Sequence, residues 1–100
     1  MARVYLAGPM TGLPEHNFPA FHAAAAVLRE RGHEVVSPAE ANAAHVGQWT
    51  WEQFMRVDLS LLVTCERIAM LPGWARSKGA SLEHHVATEL GMPVDFIDFL

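Results

Sequence analysis

Four short apolar runs punctuate the chain: Val4 to Ala7, His33 to Val36, Arg67 to Leu71 and Pro93 to Ile97. The first three stop at Gly8-Pro9, Ser37-Pro38 and Pro72-Gly73, and the fourth follows Gly91. Apolar runs of this length between turn residues read as buried strands. Between them the hydrophobic spacing changes to three and four. Phe18 to Arg31 carries the stripe Phe18, Phe21, Ala25 and Leu28, with Asn17 as N-cap, Pro19 in the first turn and Gly32 as the stop. Thr50 opens a second helix, with Gln53 three residues on completing a capping box. Its stripe is Trp51, Phe54/Met55, Asp58 and Leu61/Leu62. Ala80 to Leu90 forms a third, with Ala80, Glu83, Val86/Ala87 and Leu90 on one face. Ala39 to Gly47 is alanine-rich without clear period and reads as loop with room for a short helix. Strands alternating with helices predict one α/β domain over residues 1–100, a mostly parallel sheet of four to five strands with right-handed crossovers.

Two residues break the apolar stripes, and both are acids. Asp58 interrupts the second helix face. A buried, unpaired charge costs several kcal/mol, on the order of a small domain's whole stability. Asp58 therefore has firm partners, such as Arg56, Arg67 or a backbone N–H, or it lines a polar cleft. Glu83 falls in the predicted first turn of the third helix, turned toward the protein. There the helix start and Lys78 favour its carboxylate form. An ordinary first-turn glutamate would interact with the helix dipole in the same place.

Glu83 follows a small basic loop, and Gly8–Pro14 holds two glycines and two prolines. Both loops follow strands, and in parallel sheets ligands sit beyond the carboxyl ends of the strands. Ser77, Gly79 and Ser81 can offer backbone N–H groups to a phosphate, with Arg76 and Lys78 adding charge; the same residues also describe a solvated loop. Gly8 and Pro9 turn the chain or let backbone approach a ligand. Tyr5 is core by periodicity, with a hydroxyl that can reach the cleft. Trp74 lies on the loop and can stack on a base.

Composition narrows the partners. Half the 100 residues are hydrophobic (51%) and 18% are charged, so the chain is globular. A formal charge of −4 argues against gripping nucleic acid through its phosphates. No apolar run approaches a membrane span, and Met1-Ala2-Arg3 leads into a strand, not a signal peptide. A single cysteine, Cys65, fits a reducing cytoplasm. The six histidines show no chelating spacing, so no metal is expected; His84 or His85 can still serve as a proton donor near Glu83. Trp49 and Trp51 suit a homodimer surface.

The segments YLAGPMTG, NFPAF, GHEVVSPAE, RVD, LPGW and SKGASLEHHVATELG, in this order, resemble a small group within the nucleoside 2-deoxyribosyltransferase-like superfamily along nearly the whole chain. Tyr5 to Pro9 resembles the superfamily's first strand and glycine turn. Asp58 stands where its enzymes carry an aspartate that contacts sugar or base. Ser77 to Glu83 looks like the segment carrying the catalytic glutamate of deoxynucleoside monophosphate N-glycosidases. The resemblance implies a flavodoxin/Rossmann-like three-layer sandwich, a glutamate nucleophile at Glu83 with Asp58 beside it, no cofactor, and homodimers that complete each other's pockets. The implied ligand is a nucleoside or its 5′-monophosphate, and the implied activity is N-glycosidase or 2-deoxyribosyltransferase. Against this stands a catalytically silent module that senses or sequesters a nucleotide, which the chain's shortness and missing base-binding insertions favour.

Overall fold

The computed structural model describes residues 2–99. Strands β1 (Arg3–Ala7), β2 (Glu34–Val36), β3 (Arg67–Met70) and β4 (Val94–Phe96) alternate with helices α1 (Phe18–Glu30), α2 (Pro38–Ala41), α3 (Trp51–Leu62) and α4 (Lys78–Glu89). The four strands form one sheet in the order β2-β1-β3-β4, every pair parallel. Tyr5 lies opposite Val36 on one side and Ile68 on the other, and Ile68 opposite Val94. This is the flavodoxin-like arrangement, with helices on both faces.

Alternation along β1 divides the core. Val4 and Leu6 join Phe21, Ala24, Ala25 and Leu28 of α1 beneath one face. Tyr5 and Ala7 point the other way, into a second cluster with Leu62 of α3 and Ala80 and Ala87 of α4. Burying both faces explains why the strands read as continuous apolar runs. The Thr50 capping box forms as expected: its hydroxyl accepts from the Gln53 N–H at 3.2 Å, and Gln53 Oε1 accepts from the Thr50 N–H at 2.8 Å.

Two expectations are corrected. The last helix, α4, starts at Lys78, two residues before the expected Ala80, because the Ser77 hydroxyl accepts from the Ala80 N–H at 3.1 Å and caps it. Glu83 is therefore the sixth helical residue, outside the first turn. Asn17 occupies the N-cap position of α1, yet its side chain makes no cap bond; Nδ2 donates instead to the Pro9 carbonyl at 3.0 Å. It ends a run of three left-handed non-glycine residues, Glu15, His16 and Asn17 (φ 53°, 54° and 59°), which turns the chain from the first loop into α1. The Ala39–Gly47 stretch is loop with short helix, as expected, holding the end of α2 and a 3₁₀ turn at Ala43–His45.

Candidate functional site

The carboxyl ends of β1 and β3 open into a cleft of about 1030 Å³. Both glycine-containing loops border it, with Gly8 to Leu13 on one side and Pro72, Gly73 and Arg76 to Ala80 on the other. The loops meet closely at its base. A Cβ on Gly8 would lie 2.7 Å from the Leu71 Cβ, so only glycine lets β1 leave the sheet here.

Glu83 reaches the cleft from the second turn of α4 and is buried, 5% exposed. The hydroxyl of Tyr5, itself wholly buried in β1, donates to Glu83 Oε2. No cation pairs with this carboxyl among the described residues. Burial pushes its pKa up to about 8; the Tyr5 hydrogen bond pulls it down, and the charge of Asp58 raises it further. The expected ionised first-turn carboxylate is thus corrected: one turn deeper in the helix, Glu83 sits beyond the exposed helix start, and burial outweighs the dipole and Lys78. Burial also holds the Tyr5 phenol well above its ordinary value, with the Glu83 and Asp58 charges adding to the shift.

Asp58 lines the same cleft from α3 and is 8% exposed. Neither expected arginine meets it. Arg56 is exposed, and Arg67 forms a two-pronged ion pair with Asp95 across β3 and β4 at 2.8 and 2.9 Å. The partner is Asn42, whose Nδ2 donates to Asp58 Oδ1 at 2.5 Å. Burial raises the Asp58 pKa to about 6 against the opposing pull of that hydrogen bond.

Gly8, Pro9, Ser77 and Gly79 line the cleft, as do Glu83 and Asp58. Gly79 also lets α4 approach α3: a Cβ there would meet Met55 Sδ at 3.2 Å and Trp51 Nε1 at 3.5 Å. Tyr5 stands behind Glu83, outside the lining. Trp74 and Ser81 lie outside it too. The Trp74 indole stacks on His84, with centroids 4.4 Å apart, and the Ser81 hydroxyl donates to the carbonyls of Ala75 and Trp74 at 3.4 and 3.5 Å. His84 is occupied by that stack, His85 is exposed, and neither borders the cleft, which corrects the expected proton donor. Trp49, Trp51 and Phe54 supply an aromatic wall. Lys78 Nζ sits 4.0 Å from the Trp51 ring centroid, and Trp49 stacks on His45 at 3.9 Å. Sequence reasoning passed over Asn42. The available signal was its place just after Ser37-Pro38, on the same sheet edge as both glycine loops.

A family model described as "Domain of unknown function (DUF4406)" matches residues 2–96. Among solved structures, the 2-deoxyribosyltransferase from the psychrotolerant bacterium Bacillus psychrosaccharolyticus, described as a biocatalyst for nucleoside synthesis, superposes with a TM-score of 0.75. It is 26% identical, over 95% of this chain and 71% of that one. No curated protein matches.

Proposed function

We propose that this chain, which belongs to the DUF4406 family, cleaves or exchanges the base of a nucleoside or nucleoside 5′-monophosphate through Glu83. The observation that carries the proposal is one buried acid, Glu83, backed by the Tyr5 hydroxyl and facing a cleft that Asp58 also lines. The likeness to a 2-deoxyribosyltransferase, at the fold and at 26% identity, supports the substrate class.

Breaking an N-glycosidic bond builds positive charge at the anomeric carbon. An oxygen of ionised Glu83 bonds to that carbon as the C–N bond breaks; the bonding pair leaves with the base, which takes up a proton. The result is a glycosyl ester. In hydrolysis, water attacks the same carbon, loses a proton, and the ester C–O pair returns to Glu83. In transfer, a ring nitrogen of a second base replaces water. Asp58 holds a sugar hydroxyl, while the aromatic wall offers a stacking surface for a base. Ser77 to Ala80, with Arg76 and Lys78, receives the 5′ end. We extend the proposal to assembly: the protein works as a homodimer or larger, so light scattering at micromolar concentration reads more than the 11.0 kDa of one chain.

A second reading, a nucleotide receptor without turnover, is favoured by the depth at which Glu83 is buried, 5% exposed. With a pKa of about 8, Glu83 is mostly protonated at neutral pH and donates a hydrogen bond more readily than it attacks. One experiment separates the readings. Nucleoside monophosphates are incubated with the protein at pH 7 and pH 9, and free base is followed by chromatography. The enzyme reading expects base release, faster at pH 9, that falls by roughly a thousandfold in Glu83→Gln. Tight binding by calorimetry with no base released at either pH leaves the receptor.

A further inference from the structure

The two ends of α2 carry an uncommon feature. Among the described residues, two buried side-chain polar atoms lack any hydrogen-bond partner, Ser37 Oγ and Asn42 Oδ1, and they flank this four-residue helix. Buried polar groups are nearly always satisfied, so an orphan acceptor calls for an explanation. Ser37 is 2% exposed and does not border the cleft. Asn42 is 5% exposed and does border it.

The orientation of the Asn42 amide is set by its neighbour. Its Nδ2 is committed to Asp58 Oδ1, and a carboxylate can only accept. The amide oxygen is therefore turned away from Asp58 and left without a donor from the protein. Asp58 makes no other hydrogen bond among the described residues. Two side chains from different elements, the end of α2 and the middle of α3, thus meet at the cleft, where the Asn42 Oδ1 and the ionised Asp58 carboxylate are both acceptors.

We propose that Asn42 is a specificity-determining residue: its Oδ1 and the Asp58 carboxylate form an acceptor-only pair that selects a ligand presenting two neighbouring hydrogen-bond donors. The inference rests on the cleft being a nucleotide site, as proposed above, and assigns it a preference. A nucleotide can offer such donors from two sources, the vicinal hydroxyls of a ribose or an exocyclic amino group of the base. A ligand edge made of acceptors leaves Asn42 Oδ1 unsatisfied and faces repulsion from Asp58. Asn42 also acts on Asp58 directly, since losing its N–H removes the one hydrogen bond that favours the Asp58 carboxylate.

Calorimetric binding tests this without requiring turnover. The common ribo- and deoxyribonucleoside 5′-monophosphates are titrated into the protein at pH 8, where Asp58 is ionised. The tightest is then compared with its 2′-deoxy or 3′-deoxy form and with its N-dimethylated base form. One donor-deleted form is expected to bind the unmodified protein roughly tenfold or more weakly. Asn42→Leu should lose a similar factor for the parent nucleotide and nothing further for that donor-deleted form. The sugar analogue responding assigns the diol, and the base analogue responding assigns the amine. Asn42→Ala, checked by circular dichroism, replaces Asn42→Leu if the latter does not fold. Equal affinity of the unmodified and Asn42-substituted proteins for parent and analogues overturns the inference, as does the absence of binding by every monophosphate. Base release with affinities indifferent to Asn42 would defeat this inference alone. Asn42-dependent binding without base release would defeat only the glycosidase reading.

Discussion

At the scale of single residues, chemistry turns on how Tyr5 and Glu83 share a proton. The Tyr5 hydroxyl donates to Glu83 Oε2, so it stabilises the carboxylate that a nucleophile needs. It does so against burial, which is the larger effect and leaves the pKa at about 8. Tyr5→Phe keeps the ring that fills the sheet face and removes only the donor. The Glu83 pKa should then rise further, and a smaller fraction of protein is ionised at any neutral pH. The expected outcome is a pH–rate profile for base release whose rising limb moves above pH 8, with a loss of roughly tenfold at pH 7. A profile that keeps its midpoint while the plateau falls would show Tyr5 acting on orientation only. The acids themselves were legible from sequence because each interrupts an apolar stripe. Their environments were not. Arg56 and Arg67 are the nearest cations to Asp58 in the sequence, yet one is exposed and the other belongs to Asp95. Asn42 is sixteen residues away and carried no period to mark it.

At the scale of elements, the glycine turn after β1 is the tightest joint beside the cleft. Leu71 follows β3, is wholly buried, and its N–H donates to the Ala7 carbonyl at 2.8 Å. Its side chain covers the Gly8 Cα, where an added Cβ would lie 2.7 Å from Leu71 Cβ and 2.8 Å from Cδ1. Cβ atoms are fixed to the backbone, so a rotamer change alone cannot relieve the closer contact. Gly8→Ala should destabilise the fold by about 1–3 kcal/mol and shift the cleft lip. Urea denaturation that leaves the midpoint unchanged would show that the two backbones part freely. Strands and long helices were legible because period two or continuous apolarity gave way to period three-and-four at glycine and proline. The elements that escaped lack such a signal. A four-residue α2 is too short to show a period, and Gly79 in the first turn of α4 obscures a helix that Ser77 caps. The left-handed run at Glu15, His16 and Asn17 uses residues that seldom adopt it, so nothing in their identity announces the turn.

At the scale of the whole molecule, the parallel order followed from the alternation of strands and helices along the chain. Trp49 stacks on His45, Trp51 lies under Lys78 and Trp74 stacks on His84, and all three remain half-buried. The global property that the site does impose is a pH dependence of stability. Glu83 moves from an ordinary 4.5 to about 8 on folding, and Asp58 from 3.8 to about 6. Both folded-state values are raised, so the folded protein holds protons that the unfolded chain has already released. Their favourable contribution is complete below pH 4 and is lost as pH rises, through about 6 for Asp58 and about 8 for Glu83. Glu40 and Asp95 are shifted the other way by Arg29 and Arg67, but these ion pairs are largely solvent-exposed and act at the acid end, outside this window. Thermal stability should therefore fall between pH 5 and pH 9, by an amount on the order of a few kcal/mol. Glu83→Gln is uncharged throughout and still accepts from Tyr5, so its melting temperature should decline less and exceed that of the unmodified protein at pH 9. Calorimetric melts at half-unit pH steps make the comparison. Parallel curves for the two proteins across this range would mean that Glu83 folds in already ionised, and the buried acid would then be free to attack at neutral pH.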